Sequence, residues 1–235
     1  VGGSLGYTDG RVKVNERSSR SDVSSFTAAL YGGNSWQQGG GKLNLLAGLA
    51  YTRHDIDSRR QVTVGGSQTL KADYHAHTTQ FFTELGYAMP LGRHSVLEPY
   101  LGVGRISQKA KGFSESGGPA ALQGESRTDD ITTFTLGLRG HTAIELGAHQ
   151  AHVFAGLGWR HASGDVDPGR RLSFVQGSGS AFNVAGAPLA KNAALADLGV
   201  QVVVGRNTAM GLGYSGQYGK DSTDHSGMLF LRTRF

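Results

Sequence analysis

Along Val153–Trp159 the residues change character at every step: Val153, Ala155, Leu157 and Trp159 alternate with Phe154, Gly156 and Gly158, and the run is bracketed by His152 and Arg160. Side chains of an extended strand point alternately to opposite faces, so this period gives one apolar face and one face of glycine and polar groups. The same pattern recurs. In 43–52, Leu43, Leu45, Ala47, Leu49 and Tyr51 alternate with Asn44, Gly48, Ala50 and Thr52; in 79–89, Phe81, Leu85, Tyr87 and Met89 oppose Glu84, Gly86 and Ala88. Leu198, Val200, Val202 and Val204 oppose Asp197, Gly199, Gln201 and Gly205, and at the end Leu229, Leu231 and Phe235 share a face with Thr233 while Arg232 and Arg234 take the other. Strands this uneven between faces suit a wall with lipid on one side and water on the other.

Shorter signals near 1–9, 23–35, 96–107, 130–141 and 209–218 bring the expected number of strands to ten. Their connections alternate in kind. Short turns are expected at 37–41, 90–94, 145–149 and 205–208, and long polar loops at 10–22, 55–78, 108–129, 163–192 and 219–225. Outer-membrane barrels have short turns on the periplasmic side and long loops outside, whereas a soluble sandwich has no reason to gather its long loops at one end. The expected fold is therefore all-β, an antiparallel transmembrane β-barrel. An even strand number places the carboxyl terminus in the periplasm. The run Arg171–Val175 is read as an extension of neighbouring strands above the membrane and not as a further spanning strand.

Composition agrees. With 37 glycines, 5 prolines and a mean hydropathy of −0.28, the chain averages like a soluble protein because the inward half of each strand hides the outward one. No stretch approaches the roughly 20 apolar residues of a membrane helix. The glycines follow no triplet period, which excludes collagen. No catalytic, cofactor-binding or metal-ligating set emerges: there is no Gly-x-Ser-x-Gly elbow, Gly102-x-Gly104 lacks the third glycine and helix of a dinucleotide site, and His75 and His77 with His54 on the preceding strand read as solvated histidines before they read as a metal site. The formal charge of +5 comes from basic residues scattered over the loops, among them Arg11, Lys13, Arg17, Arg20, Arg53, Arg59, Arg60, Arg170 and Arg171, so no nucleic-acid surface is expected; external basic groups are expected to meet lipopolysaccharide phosphates instead. Glu84, Arg139, Arg160, Asp197, Arg232 and Arg234 fall on inward faces and are the candidate lumen residues, held by mutual pairing and water. Leu45, Leu49, Leu157, Val200 and Val202 are expected to face lipid, with Tyr51, Tyr87, Trp159 and Tyr214 as girdle aromatics.

Several segments together resemble the translocator barrel of autotransporters, the type V secretion proteins of Gram-negative bacteria: Leu5-Gly6-Tyr7-Thr8-Asp9, Asp22-Val23-Ser24-Ser25-Phe26 with Leu30-Tyr31-Gly32-Gly33, Leu97-Glu98-Pro99-Tyr100-Leu101-Gly102, Phe182-Asn183-Val184-Ala185-Gly186 with Pro188, and Leu231-Arg232-Thr233-Arg234-Phe235. The resemblance implies a twelve-stranded barrel with a lumen α-helix and, upstream, a passenger exported to the cell surface. The first segment resembles the family's third strand, so residues 1–235 are expected to be one translocator domain lacking its first strands and helix. By the same resemblance, Leu229, Leu231 and Phe235 form the terminal signal read by the barrel-assembly machinery, with Thr233 where an aromatic is usual. The implied role is a monomeric, non-enzymatic outer-membrane anchor and translocator that contacts lipid, lipopolysaccharide, its own passenger and its lumen helix. The alternatives are a passive porin and an outer-membrane enzyme.

Overall fold

The computed structural model describes residues 1–14, 19–63, 66–147, 149–177, 179–220 and 222–233. The strands are β1 (Gly2–Val14), β2 (Ser19–Gln38), β3 (Gly41–Val62), β4 (Gln68–Leu91), β5 (Ser95–Ala110), β6 (Phe113–Ser114), β7 (Leu122–Gly124), β8 (Arg127–Leu146), β9 (His149–Gly164), β10 (Gly169–Phe174), β11 (Phe182–Ala185), β12 (Asn192–Val203), β13 (Thr208–Gly219) and β14 (Ser222–Thr233). Ten of them form one antiparallel sheet in the order β1-β2-β3-β4-β5-β8-β9-β12-β13-β14, each next to its predecessor in that series. The ten strands are those read from the alternation. Among the described residues β1 and β14 are not paired with each other, so the sheet curls without closing.

Register carries the two faces across the whole sheet. Leu45 lies opposite Leu85, Leu85 opposite Leu101, Leu101 opposite Leu136, and Leu136 opposite Trp159, a continuous apolar row over β3, β4, β5, β8 and β9. Leu157 and Leu198 are 69% and 56% exposed, which for leucine means a surface built to meet something other than water. On the opposite face, large side chains lie flat over glycines of the adjacent strand: Tyr31 over Gly2, Phe82 over Gly48, Tyr100 over Gly137, Phe154 over Gly199 and Phe230 over Gly211 are all directly paired. A Cβ at any of these glycines would stand closer than 3.0 Å to the ring. Glycine is used here for room, since a missing side chain on one strand is filled by an aromatic from the next. Three of the short turns use a different property, with Gly39, Gly92 and Gly147 at φ of 58°, 69° and 61°.

The long connections differ from the expectation. β3 and β4 run for 22 and 24 residues, well past the ~9–11 that cross a bilayer, so much of 55–78, read as loop, is a hairpin projecting beyond the apolar band. The same holds for 10–22, most of which extends β1 and β2. Arg171–Val175 does not prolong a neighbour: β10 joins β11, β7 and β6 in a second four-stranded sheet made from the β5–β8 and β9–β12 connections. That sheet is fastened to the projecting hairpin. Arg60 donates to Glu115 at 2.7 Å and 3.2 Å and to the Ala120 carbonyl at 3.1 Å, and Lys71 and Ser116 exchange backbone hydrogen bonds. Where the two meet, Leu70, Ala72 and Ala121 are buried.

Candidate functional site

The inner face gathers charge where alternate strands reach over the one between them. Arg139 on β8 donates from Nη1 to Glu84 Oε1 on β4 at 2.7 Å, across β5, and from Nε to Glu98 Oε2 on β5 at 3.1 Å. Asn44 on β3 donates from Nδ2 to the other Glu98 oxygen at 2.9 Å, across β4. The Arg139 guanidinium also rests 4.8 Å from the centre of the Tyr100 ring. One arginine thus serves two carboxylates, and Glu98 is held from both sides. Its side chain is only 12% exposed, tucked over Gly86, whose missing Cβ leaves the space. Charge-assisted pairs of this kind are favourable when every partner is met, and costly when one is removed.

The sheet's far half repeats the device. Arg160 on β9 donates from Nη2 to Gln217 Oε1 on β13, reaching across β12. Asp197 on β12 is paired in register with Gly156 and with Ser215, and its carboxylate lies beside Gly156 on the side of Arg139. The inner wall therefore carries two charged stations, one over β3, β4, β5 and β8 and one over β9, β12 and β13, separated by glycines and by flat aromatic rings. It offers hydrogen-bonding groups along one face of the sheet.

Of the candidate lumen residues, Glu84 and Arg139 are in direct contact, and Arg160 and Asp197 are on the same face but do not touch each other's partners. Arg232 pairs with Ala209 beside the Gly211–Phe230 pair, at the short-turn end, where it borders a cleft with His152 and Gln201. Arg234 and Phe235 lie outside the described residues. Leu229 and Leu231 are on the lipid-type face, 82% and 70% exposed, opposite Leu212 and Met210. Sequence reasoning missed Glu98, Asn44, Tyr100 and Gln217. Parity was the available signal for Glu98, which alternates in phase with Gly102 and Gly104 inside a run otherwise dominated by Leu97, Pro99 and Leu101.

The histidines do not converge. His54 is on the inner face, accepting or donating to Ser25 Oγ at 2.8 Å and Thr78 Oγ1 at 2.9 Å, whereas His75 pairs with Asp55 and His77 with the Tyr51 hydroxyl on the outer face. Tyr51, Trp159 and Tyr214 stand exposed among the outward residues at 49%, 49% and 38%, and the Tyr87 hydroxyl donates to the Gln38 carbonyl at the short-turn end.

Residues 1–215 match the family model described as "Autotransporter beta-domain". Two curated proteins of Serratia marcescens, both named extracellular serine protease, align with the chain. One is 32% identical over 237 residues, covering 99% of this chain and 22% of that protein; the other is 35% identical over 196 residues, covering 83% and 19%. The chain therefore spans about a fifth of the length of these relatives. Among solved structures, the translocator domain of the autotransporter NalP from Neisseria meningitidis superposes with a TM-score of 0.70 at 20% identity, covering 99% of this chain and 74% of that one. The β-domain of the Bordetella autotransporter BrkA gives 0.56 at 16% identity, covering 99% and 98%. These likenesses establish a shared fold.

Proposed function

The chain belongs to the autotransporter β-domain family, outer-membrane translocators of an N-terminal passenger, and from that premise we propose that its charged inner wall lines the passage and later the anchorage of a passenger joined ahead of Val1. The observation that carries this reading is the inner face itself, on which Glu84, Glu98, Arg139, Arg160 and Asp197 alternate with glycines over the breadth of a sheet whose other face is apolar. The proteolytic activity in the names of the Serratia relatives belongs, on this reading, to the remainder of those proteins, and the β-domain adds transport without chemistry of its own.

Closure is part of the proposal. The free edges of β1 and β14 would present unpaired backbone groups to lipid, so further strands close the wall, and a helix in the lumen packs against the inner charges. The long-connection end then faces outward and the carboxyl terminus the periplasm. In this reading Leu229, Leu231 and the terminal Phe235 are what the barrel-assembly machinery engages, and the barrel works as a monomer in contact with lipid and lipopolysaccharide.

The chain has no cysteine, so single replacements report topology cleanly. In the full-length protein, Gln176→Cys is expected to react with a membrane-impermeant maleimide on intact cells, and Arg93→Cys only after the outer membrane is opened. Deleting residues 1–235 is expected to leave the passenger in the periplasm. A passenger that reaches the surface undiminished without them overturns the translocator reading.

A further inference from the structure

The outward face changes chemistry abruptly one row beyond Tyr51. Arg53 on β3 stands opposite His77 on β4, and His77 opposite Lys109 on β5, so three basic groups lie in register on three adjacent strands. At ~4.8 Å between strands the line they form is about 10 Å long. Each is available in its own way. Arg53 is 55% exposed and pairs with Asp55 at 3.4 Å; the His77 ring is stacked on Tyr51 at 5.8 Å and hydrogen-bonded through Nδ1 to the Tyr51 hydroxyl at 2.8 Å, which fixes its orientation. Lys109 is exposed and has no ion pair among the described residues.

Beside this row, on the same face and displaced sideways onto β1–β3, is a shallow trough that meets the row at Arg53. Small residues, Gly3 and Ala28, form its floor, and Leu5, Leu30, Leu49 and Tyr51 its sides. Leu5, Ala28 and Tyr51 occupy the row next to Arg53, and Gly3, Leu30 and Leu49 the row after that. A trough with an almost wholly apolar lining, at the edge of a lipid-facing band, with Arg53 at its rim and His77 and Lys109 beyond it in the same row, is complementary to a molecule with a saturated chain and a phosphorylated head. The aromatic between them suits the interface of the two.

We propose that this patch is a docking site for lipid A of the outer leaflet, with Arg53, His77 and Lys109 on its phosphates and an acyl chain in the trough beside Leu49 and Tyr51. The site rests on the orientation proposed above, in which the long-connection end faces outward. Its partner is set by charge complementarity at one depth: a second basic row, Lys13, Arg20, Arg59 and Lys71, is also in register across β1–β4 but lies three rows farther from the apolar band, too far to share one headgroup with the trough.

The full-length protein, purified in detergent, is incubated with bis-phosphorylated lipid A, with the same lipid chemically dephosphorylated, and with phosphatidylglycerol, and retained lipid is counted by native mass spectrometry. The wild type is expected to hold lipid A selectively, and inorganic phosphate at millimolar concentration not to displace it. The triple variant Arg53→Gln, His77→Gln, Lys109→Gln is expected to bind about tenfold more weakly, as the loss of several charges at an anionic surface implies, while Arg59→Gln with Lys71→Gln binds as the wild type does. If the triple variant fails the gel-shift test of a folded barrel, Lys109→Gln alone is read, with a fall of about threefold expected. Equal retention by wild type and variant, or equal retention of phosphatidylglycerol, overturns the site. The Gln176→Cys label separates the two readings. Labelling from outside with unchanged lipid A binding defeats the lipid site only, and labelling from the periplasm alone defeats the orientation and the site with it.

Discussion

Replacing Arg139 with methionine keeps the stem that lies along the inner wall and removes the guanidinium that joins Glu84 to Glu98. Three contacts go at once: the 2.7 Å bond to Glu84, the 3.1 Å bond to Glu98 and the 4.8 Å approach to the Tyr100 ring. What remains is worse than a gap. Glu98, 12% exposed, keeps only its bond from Asn44, and Glu84, 23% exposed, faces it as a like charge. Stranding a fully buried charge costs about 3–5 kcal/mol, and because Arg139 itself is 42% exposed, about 2 kcal/mol is the expected loss here. Adding Glu98→Gln to Arg139→Met removes the stranded charge and is expected to restore about half of that loss. The assay is equilibrium unfolding in urea of the refolded domain in phospholipid vesicles, with the folded fraction read by gel mobility without heating. Arg53→Gln, whose ion pair at 3.4 Å is exposed on both sides, is the control and is expected to change stability by less than ~0.5 kcal/mol. An Arg139→Met variant as stable as that control refutes the argument that the inner charges depend on one another.

Other expectations follow from the same structure. Gly199→Val drives a side chain into the Phe154 ring and is expected to cost about 1–3 kcal/mol in the same urea titration, whereas Gly227→Ala, with nothing within 4 Å, leaves stability unchanged. Arg60→Ala leaves the carboxylate of Glu115, 9% exposed, with the Leu122 N–H but no counter-charge, and loosens the second sheet on the projecting hairpin; limited trypsin digestion is expected to cut at Lys111 or Arg127 faster in the variant than in the wild type. At the long-connection ends of β2 and β3, Arg20 and Arg11 hold the Asp22 carboxyl at a pKa of about 2, while a hydrogen bond with Asp73 raises that of Asp57. The signs are opposite. Asp22 contributes stability above the ordinary carboxylate range that is lost as pH falls toward about 2, and Asp57 contributes below that range and loses it as pH rises through its raised value. Carboxyl carbon NMR titration is expected to move Asp22 back toward the ordinary range in Arg11→Gln, Arg20→Gln, and Asp57 down in Asp73→Asn.

The ten strands were legible because lipid and water impose a strict period of two, and glycine on the inner face sharpens it. The same cause hid the strands' true lengths. Past Tyr51 the outward residues of β3 are Arg53, Asp55, Asp57 and Arg59, so beyond the lipid the apolar half of the signal ends while the hydrogen bonding continues, and a charged strand reads as a loop. The second sheet was illegible for a different reason. Its members β6, β7 and β11 are two to four residues long, and their pairing depends on Arg60, Glu115 and the buried Leu70, which are distant in sequence. Arg139 was found as an inward charge, but its partner Glu98, enclosed by Leu97 and Pro99, was not, because hydrophobic neighbours masked a residue whose own parity was right.

The proposed wall has lipid on one face and water on the other, and β9 offers the direct test. Single cysteines at 153 to 160 in this cysteine-free chain, labelled with a small fluorophore in vesicles, are quenched either by brominated acyl chains or by aqueous iodide. Lipid quenching at Val153, Ala155, Leu157 and Trp159, with iodide quenching at Phe154, Gly156, Gly158 and Arg160, is the expected result. Uniform quenching along the strand, or the two sets exchanged, contradicts it.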